Sequence, residues 1–273
     1  MIEQAIDFKD ESEALYKILG KLSEEDFATK TAFKNYTIHD VLCHLHLFNQ
    51  AVDLSIEKPE EFEVFAQKLA SILGDGGSMI DLAEECLDDS SNLVLLENWR
   101  ELYLDLSDKF YKEQPKKRLA WFGPDMSARS SVSARLMETW AHGQAIYDLL
   151  GIERINTDSI KNIAFLGVNT FAFCYQSRNL EVPTDVPYVK LTAPSGVIWQ
   201  WNAPSNMNSI TGSATEFCQV VTQVRNIADT KLELKGKVAS HWMSIAQCFA
   251  GPAETPPIAG SRRKSPIDMS INS

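Results

Sequence analysis

Two side chains near the middle of the chain have the types and the spacing needed to bind a metal ion. Glu138 and His142 stand four positions apart in RSSVSARLMETWAHGQAIYDLLG, residues 129–151, a stretch whose composition predicts a helix that ends at Gly151. Side chains four apart on a helix leave the same face about 6 Å apart along the axis, so both can reach one divalent cation. Such pairs are more often solvated or hydrogen-bonded, and a metal site therefore needs a third ligand from elsewhere.

We expect that third ligand from an earlier helix. Thr37 and Asp40 form a T-x-x-D capping box, and the apolar residues that follow recur every three to four positions. His44 lies at the edge of this apolar face, whereas His46 is predicted to point away from it. A histidine at such an edge is more often a core residue with its hydrogen bonds satisfied than a metal ligand. Because neighbouring helices pack about 8–10 Å apart, His44 could still converge with the later pair.

One carboxylate and two imidazoles suit Zn²⁺, with one coordination position left open for water or substrate. Ni²⁺ or Fe²⁺ could replace zinc in a site of this kind. The open position is what separates a catalytic metal site from a structural one.

These residues must be positioned by the helices around them. The pattern of predicted helices and strands changes near residues 152–158, where we place a domain boundary. Residues 1–153 predict four main helices with short additional ones, an all-α bundle with long connections. Residues 154–251 predict an α+β domain: a helix near 158–177, a β-hairpin from VPYVKLTA and GVIWQWNA, a short helix after SITGS, the strand LELKG and a last helix. The tail, 252–273, is rich in Pro, Ser and Gly, and we expect it to be loosely held.

Composition narrows the class of protein. The chain has 273 residues, 44% of them hydrophobic, and a formal net charge of −11, which is typical of a globular protein and argues against binding to nucleic acid or anionic membranes. The absence of a signal peptide and of any apolar run near 18 residues predicts a cytoplasmic protein. The five scattered cysteines, without a CxxC pair, predict buried thiols in a reducing compartment.

Three stretches carry a family resemblance. TIHDVLCHL and METWAHGQ, together with the longer run WFGPDMSARSSVSARLMETWAHG, resemble the DinB-like, mycothiol-dependent maleylpyruvate isomerase superfamily, and within it a subgroup of uncharacterised bacterial metal-binding proteins. The resemblance implies a DinB-like four-helix bundle followed by a sterol-carrier-like α+β domain. It also implies that His44, Glu138 and His142 are the zinc ligands.

The resemblance further implies an enzyme that uses a low-molecular-weight thiol, which adds to an electrophilic substrate beside the metal. Mycothiol, bacillithiol and glutathione all stay open as that thiol. Arg225 falls where the isomerase branch lends an arginine from its second domain, although a surface arginine at a helix end is an equal alternative. Arg135 could reach the same pocket or pair with Glu138. Asp125 and Ser127, in the loop before the metal helix, are further candidates for substrate binding.

Three functions therefore compete. The first is a zinc-dependent, thiol-using isomerase or transferase that acts on a small electrophile, for which a carboxylate-bearing substrate is expected. The second is a non-catalytic protein whose metal only stabilises the fold. The third, a link with wyosine modification of tRNA, is disfavoured by the acidic charge and by the lack of a CxxxCxxC motif. We expect no membrane partner, and the oligomeric state stays open, a homodimer included.

Overall fold

The computed structural model describes residues 1–87 and 91–262 and divides into two compact units, Met1–Ile146 and Tyr147–Pro266. The first unit is rich in helix, and the second combines helices with a small mixed sheet. None of the helices in the described ranges is long and apolar enough to cross a membrane.

The first unit is built around long amphipathic helices. They are α1 (Gln4–Leu19), α2 (Ile38–Glu57), α3 (Pro59–Gly74), α4 (Met79–Cys86), α5 (Asn92–Lys112) and α6 (Ala128–Leu150), whose last residues belong to the second unit. Helix α1 packs against α5, and α2 packs against α3, α4 and α5. Their core includes the fully buried Phe8, Trp99, Tyr103 and Phe110.

A short pair of strands corrects the prediction that this half is all-α. Strand β1 (Arg118–Leu119) pairs antiparallel with β2 (Met126–Ser127). The turn around Gly123 and Pro124 returns the chain to β1 directly before α6 begins. Two-residue strands leave no period-two pattern, so sequence patterning could not show them.

The beginning of α2 follows the predicted capping box. Thr37 Oγ1 accepts a hydrogen bond of 3.0 Å from the Asp40 amide, and Asp40 Oδ2 accepts one of 2.8 Å from the Thr37 amide. Two of the otherwise unsatisfied amides at the helix end are paired in this way, which sets the register of α2 and hence the direction in which His44 leaves it.

Both ends of α6 agree with the predicted helix. Ser127 Oγ accepts a hydrogen bond of 3.1 Å from the Ser130 amide and so caps the first turn. At the other end Gly151 has φ +65°, the left-handed conformation that favours glycine after a helix. Glu138 and His142 therefore lie well inside a regular helix.

The second unit has a four-stranded mixed sheet in the order β4-β3-β5-β6. Strands β3 (Tyr188–Thr192) and β4 (Ile198–Trp201) form the predicted antiparallel hairpin. Strand β5 (Ser209–Ser213) pairs parallel with β3 and antiparallel with β6 (Glu233–Lys235). The stretch SITGS, predicted only to lead into a helix, is thus a central strand. Its pairing depends on residues far away in the sequence, which local patterning does not reveal.

The helices of this unit are α7 (Lys161–Asn169), α8 (Phe171–Gln176), α9 (Ala214–Val221) and α10 (Lys237–Ile245). The single helix predicted for 158–177 is divided into a 3₁₀ turn, Asp158–Ile160, followed by α7 and α8.

The first part of the predicted loose tail is hydrogen-bonded to the second unit. Asn226 Nδ2 donates to the Pro257 carbonyl at 2.8 Å, and Gln223 Nε2 donates to the Glu254 carbonyl at 3.1 Å. The remainder of that tail, 263–273, lies outside the described residues.

Candidate metal centre

Three side chains from two helices of the first unit converge on one point. His44 from α2 places Nε2 3.4 Å from Glu138 Oε2, and His142 from α6 places Nε2 3.2 Å from the same oxygen. One nitrogen or oxygen from each of the three lies within 4.8 Å of the others. We call His44, Glu138 and His142 the metal-ligand trio. The structure thus brings together the three residues that the sequence singled out.

Aromatic rings hold the two imidazoles in place. Phe33 meets His142 edge-on at a centroid distance of 4.9 Å, and Phe48 lies 4.7 Å from His44. In the described part of the chain, Nδ1 of both histidines is buried without a hydrogen-bond partner. Ring packing, rather than hydrogen bonding to Nδ1, therefore sets the orientation of these rings and directs both Nε2 atoms at Glu138.

Two members of the trio, His44 and Glu138, have the protonation states that a metal ion requires. Burial lowers the pKa of His44 to about 4, and the charge of His142 adds to this effect, while the hydrogen bond and the charge of Glu138 oppose it. Burial would raise the pKa of Glu138, but hydrogen bonds from His142 and His44 outweigh it and hold this pKa well below the ordinary value. At neutral pH His44 is therefore an uncharged nitrogen donor and Glu138 a carboxylate.

The donor set fits a divalent transition-metal ion. Two imidazole nitrogens and one carboxylate oxygen are the ligands of catalytic zinc sites that keep a fourth position open. The side chains of His44, Glu138 and His142 are 15%, 19% and 12% exposed, so small molecules can reach the point where they converge.

Arg135 is a buried cation on the same helix face, one turn before Glu138. The residue is 3% exposed, and its guanidinium carbon lies 5.8 Å from the centre of the Phe48 ring and 5.7 Å from that of Trp121. Burial lowers the pKa of Arg135, and the charge of Glu138 opposes this. No hydrogen bond or ion pair joins the two side chains within the described ranges, so of the two alternatives that the sequence left open for Arg135, the structure does not show the pairing with Glu138.

A cavity of about 440 Å³ lies beside His44, and sequence reasoning did not foresee it. Three of its walls come from α2, α4 and the beginning of α5. Its described lining residues include two carboxylates and no Lys or Arg; they are Tyr36, His39, Asp40, Cys43, His44, Met79, Ile80, Ala83, Glu84, Leu87 and Leu95. Tyr36, Asp40 and His44 are each four positions apart in the sequence. This spacing was the available signal that polar side chains before His44 share a face with it.

Cys43 is held as a thiol in this cavity wall. Its Sγ lies 3.2 Å from His39 Nε2, and His39 Nδ1 lies 2.6 Å from Asn92 Oδ1. Burial raises the pKa of Cys43 to about 12, with a further contribution from Asp40. The prediction of buried thiols agrees with the structure, in which Cys43, Cys174, Cys218 and Cys248 are free and buried, while Cys86 is only partly so.

His46 differs from its prediction. It was expected to point away from the buried face, yet it is 6% exposed, and burial lowers its pKa to about 4. The reason is that α2 has neighbours on several sides and therefore lacks a single solvated face.

The remaining candidates occupy three different settings. Arg225, in the second unit, is 3% exposed and places Nη2 2.6 Å from Asp148 Oδ1, so it is a buried, paired cation and not the surface arginine that the sequence also allowed. Ser127 is engaged in capping α6. Asp125 is exposed, and its carbonyl accepts a hydrogen bond from Arg118.

The fold and the trio define a helix-rich protein with a candidate centre of two histidines and one glutamate. Residues 8–147 match the family described as mycothiol maleylpyruvate isomerase N-terminal domain. The chain belongs to this family, whose name agrees with the resemblance seen in the sequence.

Relatives of similar length occur in Mycobacterium tuberculosis. Two uncharacterized proteins, from strains CDC 1551 / Oshkosh and ATCC 25618 / H37Rv, are each 35% identical over 246 residues, which is 90% of this chain and 95% of theirs. Crystal structures of a mycothiol-dependent maleylpyruvate isomerase and of a histidine-to-alanine mutant are similar at 10% identity, with TM-scores of 0.48 and 0.49, over 80% of this chain and 87% of theirs.

Proposed function

We propose that the protein is a divalent-metal-dependent enzyme, an isomerase or a transferase, that uses a low-molecular-weight thiol and acts on a small electrophile. The observation that carries the proposal is the convergence of His44, Glu138 and His142 within 4.8 Å in a site that small molecules can reach. Membership of the mycothiol maleylpyruvate isomerase family supports a thiol as the cosubstrate and an electrophile of the maleylpyruvate kind as the substrate.

The residues around the trio would have separate roles in such a reaction. His44 and His142 offer Nε2, and Glu138 offers Oε2, to a zinc ion or a similar cation. When bound, that ion supplies Lewis acidity and favours the thiolate form of a thiol at neutral pH. The rings of Phe33 and Phe48 keep the imidazoles in position. The cavity of about 440 Å³ has one member of the trio, His44, among its described lining residues, and substrate would approach the centre from that side.

Four further predictions accompany this function. We infer that α1, α2, α5 and α6 form a DinB-like bundle, and that the second unit is of the sterol-carrier-like kind. Arg225 stays a predicted catalytic residue. The protein is predicted to act in the cytoplasm.

Metal analysis of the purified protein is the first test. We expect one equivalent of zinc per chain, with nickel or iron as the other metals to be measured, and loss of that metal in His142→Ala. The matched control is His241→Ala, which removes an exposed histidine of the second unit. Equal metal content in wild type and His142→Ala would remove the basis of the proposal.

Turnover is the second test. Maleylpyruvate is offered to the metal-loaded protein with mycothiol, bacillithiol or glutathione in turn. We expect turnover with at least one thiol and none without a thiol. A protein that holds its metal, yet turns over no substrate with any of the three and loses much of its thermal stability on chelation, would instead be a metal-stabilised binding protein.

A further inference from the structure

We propose that Arg135 binds the anionic group of the substrate beside the metal-ligand trio. The inference rests on the proposed function only in taking the ligand of this site to be the substrate; the anion site itself is argued from the surroundings of Arg135. The chemical class that it selects is a small carboxylate.

Arg135 has hydrogen-bond donors that nothing in the described chain satisfies. Its Nε and Nη1 are buried and have no partner. An unsatisfied donor on a buried charged group is costly, and buried polar groups in native proteins nearly always have a partner. A ligand that brings acceptor oxygens would remove this cost, which makes the binding of an anion favourable at this position.

Glu138 is not that partner, because no hydrogen bond or ion pair joins it to Arg135 in the described part of the chain. Its Oε2 faces both Nε2 of His44, at 3.4 Å, and Nε2 of His142, at 3.2 Å. The Glu138 charge stabilises the guanidinium through space, as its opposition to the lowered pKa of Arg135 shows. It nevertheless leaves the donors of Arg135 available to another group.

The two aromatic rings next to Arg135 keep the guanidinium in position. Cation–π contacts of Arg135 with Phe48 and Trp121 stabilise the charge without using its N–H groups. Trp121 is itself fixed by a stacked contact with Phe62, at a centroid distance of 6.1 Å and an interplanar angle of 15°. A rigid, planar and partly desolvated cation is well suited to carboxylate recognition.

Two comparisons assign the anion to Arg135 rather than to the cavity beside His44 or to Arg225. The described residues that line the cavity include Asp40 and Glu84 and no Lys or Arg, so its walls do not attract a carboxylate. Arg225 is paired with Asp148 at 2.6 Å, so its charge is already balanced. A divalent ion on the trio would bring two positive charges beside Arg135, of which the Glu138 carboxylate balances one, and this would increase the demand for an anion.

Isothermal titration of the metal-loaded protein with maleate, a dicarboxylate probe, tests the assignment. Maleamide, its uncharged diamide, is the reference ligand. The variants are Arg135→Met, which keeps an unbranched buried side chain, and Arg135→Lys, which keeps the charge but loses the planar donors. Arg129→Met is the matched control, because it removes an exposed arginine from the first turns of the same helix.

We expect Arg135→Met to raise the Kd for maleate by about ten-fold or more and Arg135→Lys to raise it less. The loss of a hydrogen bond to a charged group weakens binding by about this factor. The Kd for maleamide, the metal content and the maleate affinity of Arg129→Met should be unchanged. Replacing a buried, incompletely paired charge by Met should leave Tm equal or higher. If Arg135→Met does not fold, the assignment is judged on Arg135→Lys alone.

A Kd for maleate within two-fold of wild type in the folded Arg135 variants overturns the assignment, and so does equal binding of maleate and maleamide by wild type. Failure of the proposed function is a separate result. Binding of maleate that depends on Arg135, without thiol-dependent turnover, would contradict the proposed enzymatic function and support the anion site. Turnover with an unchanged KM in Arg135→Met would contradict the anion site and support the enzymatic function.

Discussion

The imidazole rings of His44 and His142 lie with their centroids 4.3 Å apart, although they come from helices separated by most of the first unit's sequence. Two rings at this distance can share the Glu138 carboxylate only if at least one remains uncharged, because two imidazolium ions would repel each other. Burial, which lowers the pKa of His44 to about 4, secures that condition at neutral pH. His44 can therefore donate a nitrogen lone pair to a cation that binds beside Glu138.

Glu138→Gln should weaken metal binding strongly, because a neutral amide replaces the anionic ligand that both histidines face. We expect a loss of affinity beyond the roughly 10- to 100-fold seen when only an outer-shell partner of a ligand is removed. Competition with a chromogenic chelator measures this loss. The control is Glu101→Gln on α5, where the side chain is exposed. Equal affinities in the two variants would contradict the assignment of Glu138 as a ligand.

Ala83→Phe should narrow the cavity beside His44 and reduce access of substrate. Ala83 is buried in the α4 wall of that cavity, and a phenyl ring there would take up part of its volume of about 440 Å³. We expect KM to rise by roughly ten-fold or more, a difference of the size that pocket shape can produce, while metal content is unchanged. Ala70→Phe, at an exposed position of α3, is the control. An unchanged KM in Ala83→Phe would show that the substrate binds elsewhere.

Glu13→Gln should reduce stability at neutral pH and flatten its dependence on acid. Burial alone would raise the pKa of Glu13, but hydrogen bonds from Tyr103, at 2.7 Å, and Arg100, at 3.0 Å, lower it below its ordinary value of 4.5. A carboxyl with a lowered folded-state pKa contributes stability that is fully present above about 4.5 and is lost as pH falls through the folded-state value.

The free energy of unfolding should therefore fall by about 1 kcal/mol in Glu13→Gln at pH 7, as expected for a partly exposed charged hydrogen bond. The difference from wild type should shrink as the pH is lowered from 5 to 3. Urea unfolding at several pH values measures both effects. A difference that stays constant across this range would show that the charge of Glu13 has no part in stability.

Gly167→Ala should destabilise the second unit. A Cβ at this position of α7 would lie 2.8 Å and 2.9 Å from the two methyl groups of Val221 on α9, closer than packed carbon atoms approach. Overpacking of this kind costs about 1–3 kcal/mol. Gly74→Ala, at the end of α3 where no atom lies within 4 Å of the added Cβ, is the control and should be neutral or stabilising. Thermal unfolding measures both, and an unchanged Tm in Gly167→Ala would contradict the close packing of α7 and α9.

Local sequence signals were sufficient for the features that depend on neighbours along the chain. The capping box of Thr37 and Asp40, the serine cap and glycine end of α6, and the β3–β4 hairpin are all confirmed. The common face of Glu138 and His142 follows from helical geometry in the same way. Each of these features is decided by residues only a few positions apart.

Tertiary structure decided what depends on partners far along the chain. It brought His44 to the α6 pair, buried His46 on a helix with several neighbours, and enclosed Arg135 between two rings without giving its donors a partner. It also placed β5 in the centre of the sheet, parallel to β3. The sequence by itself thus determined which residues could act as ligands, and only the packing of α2 against α6 determined that they meet. The physical reason is that helix caps and helical periodicity are short-range effects, whereas burial and convergence depend on the whole core.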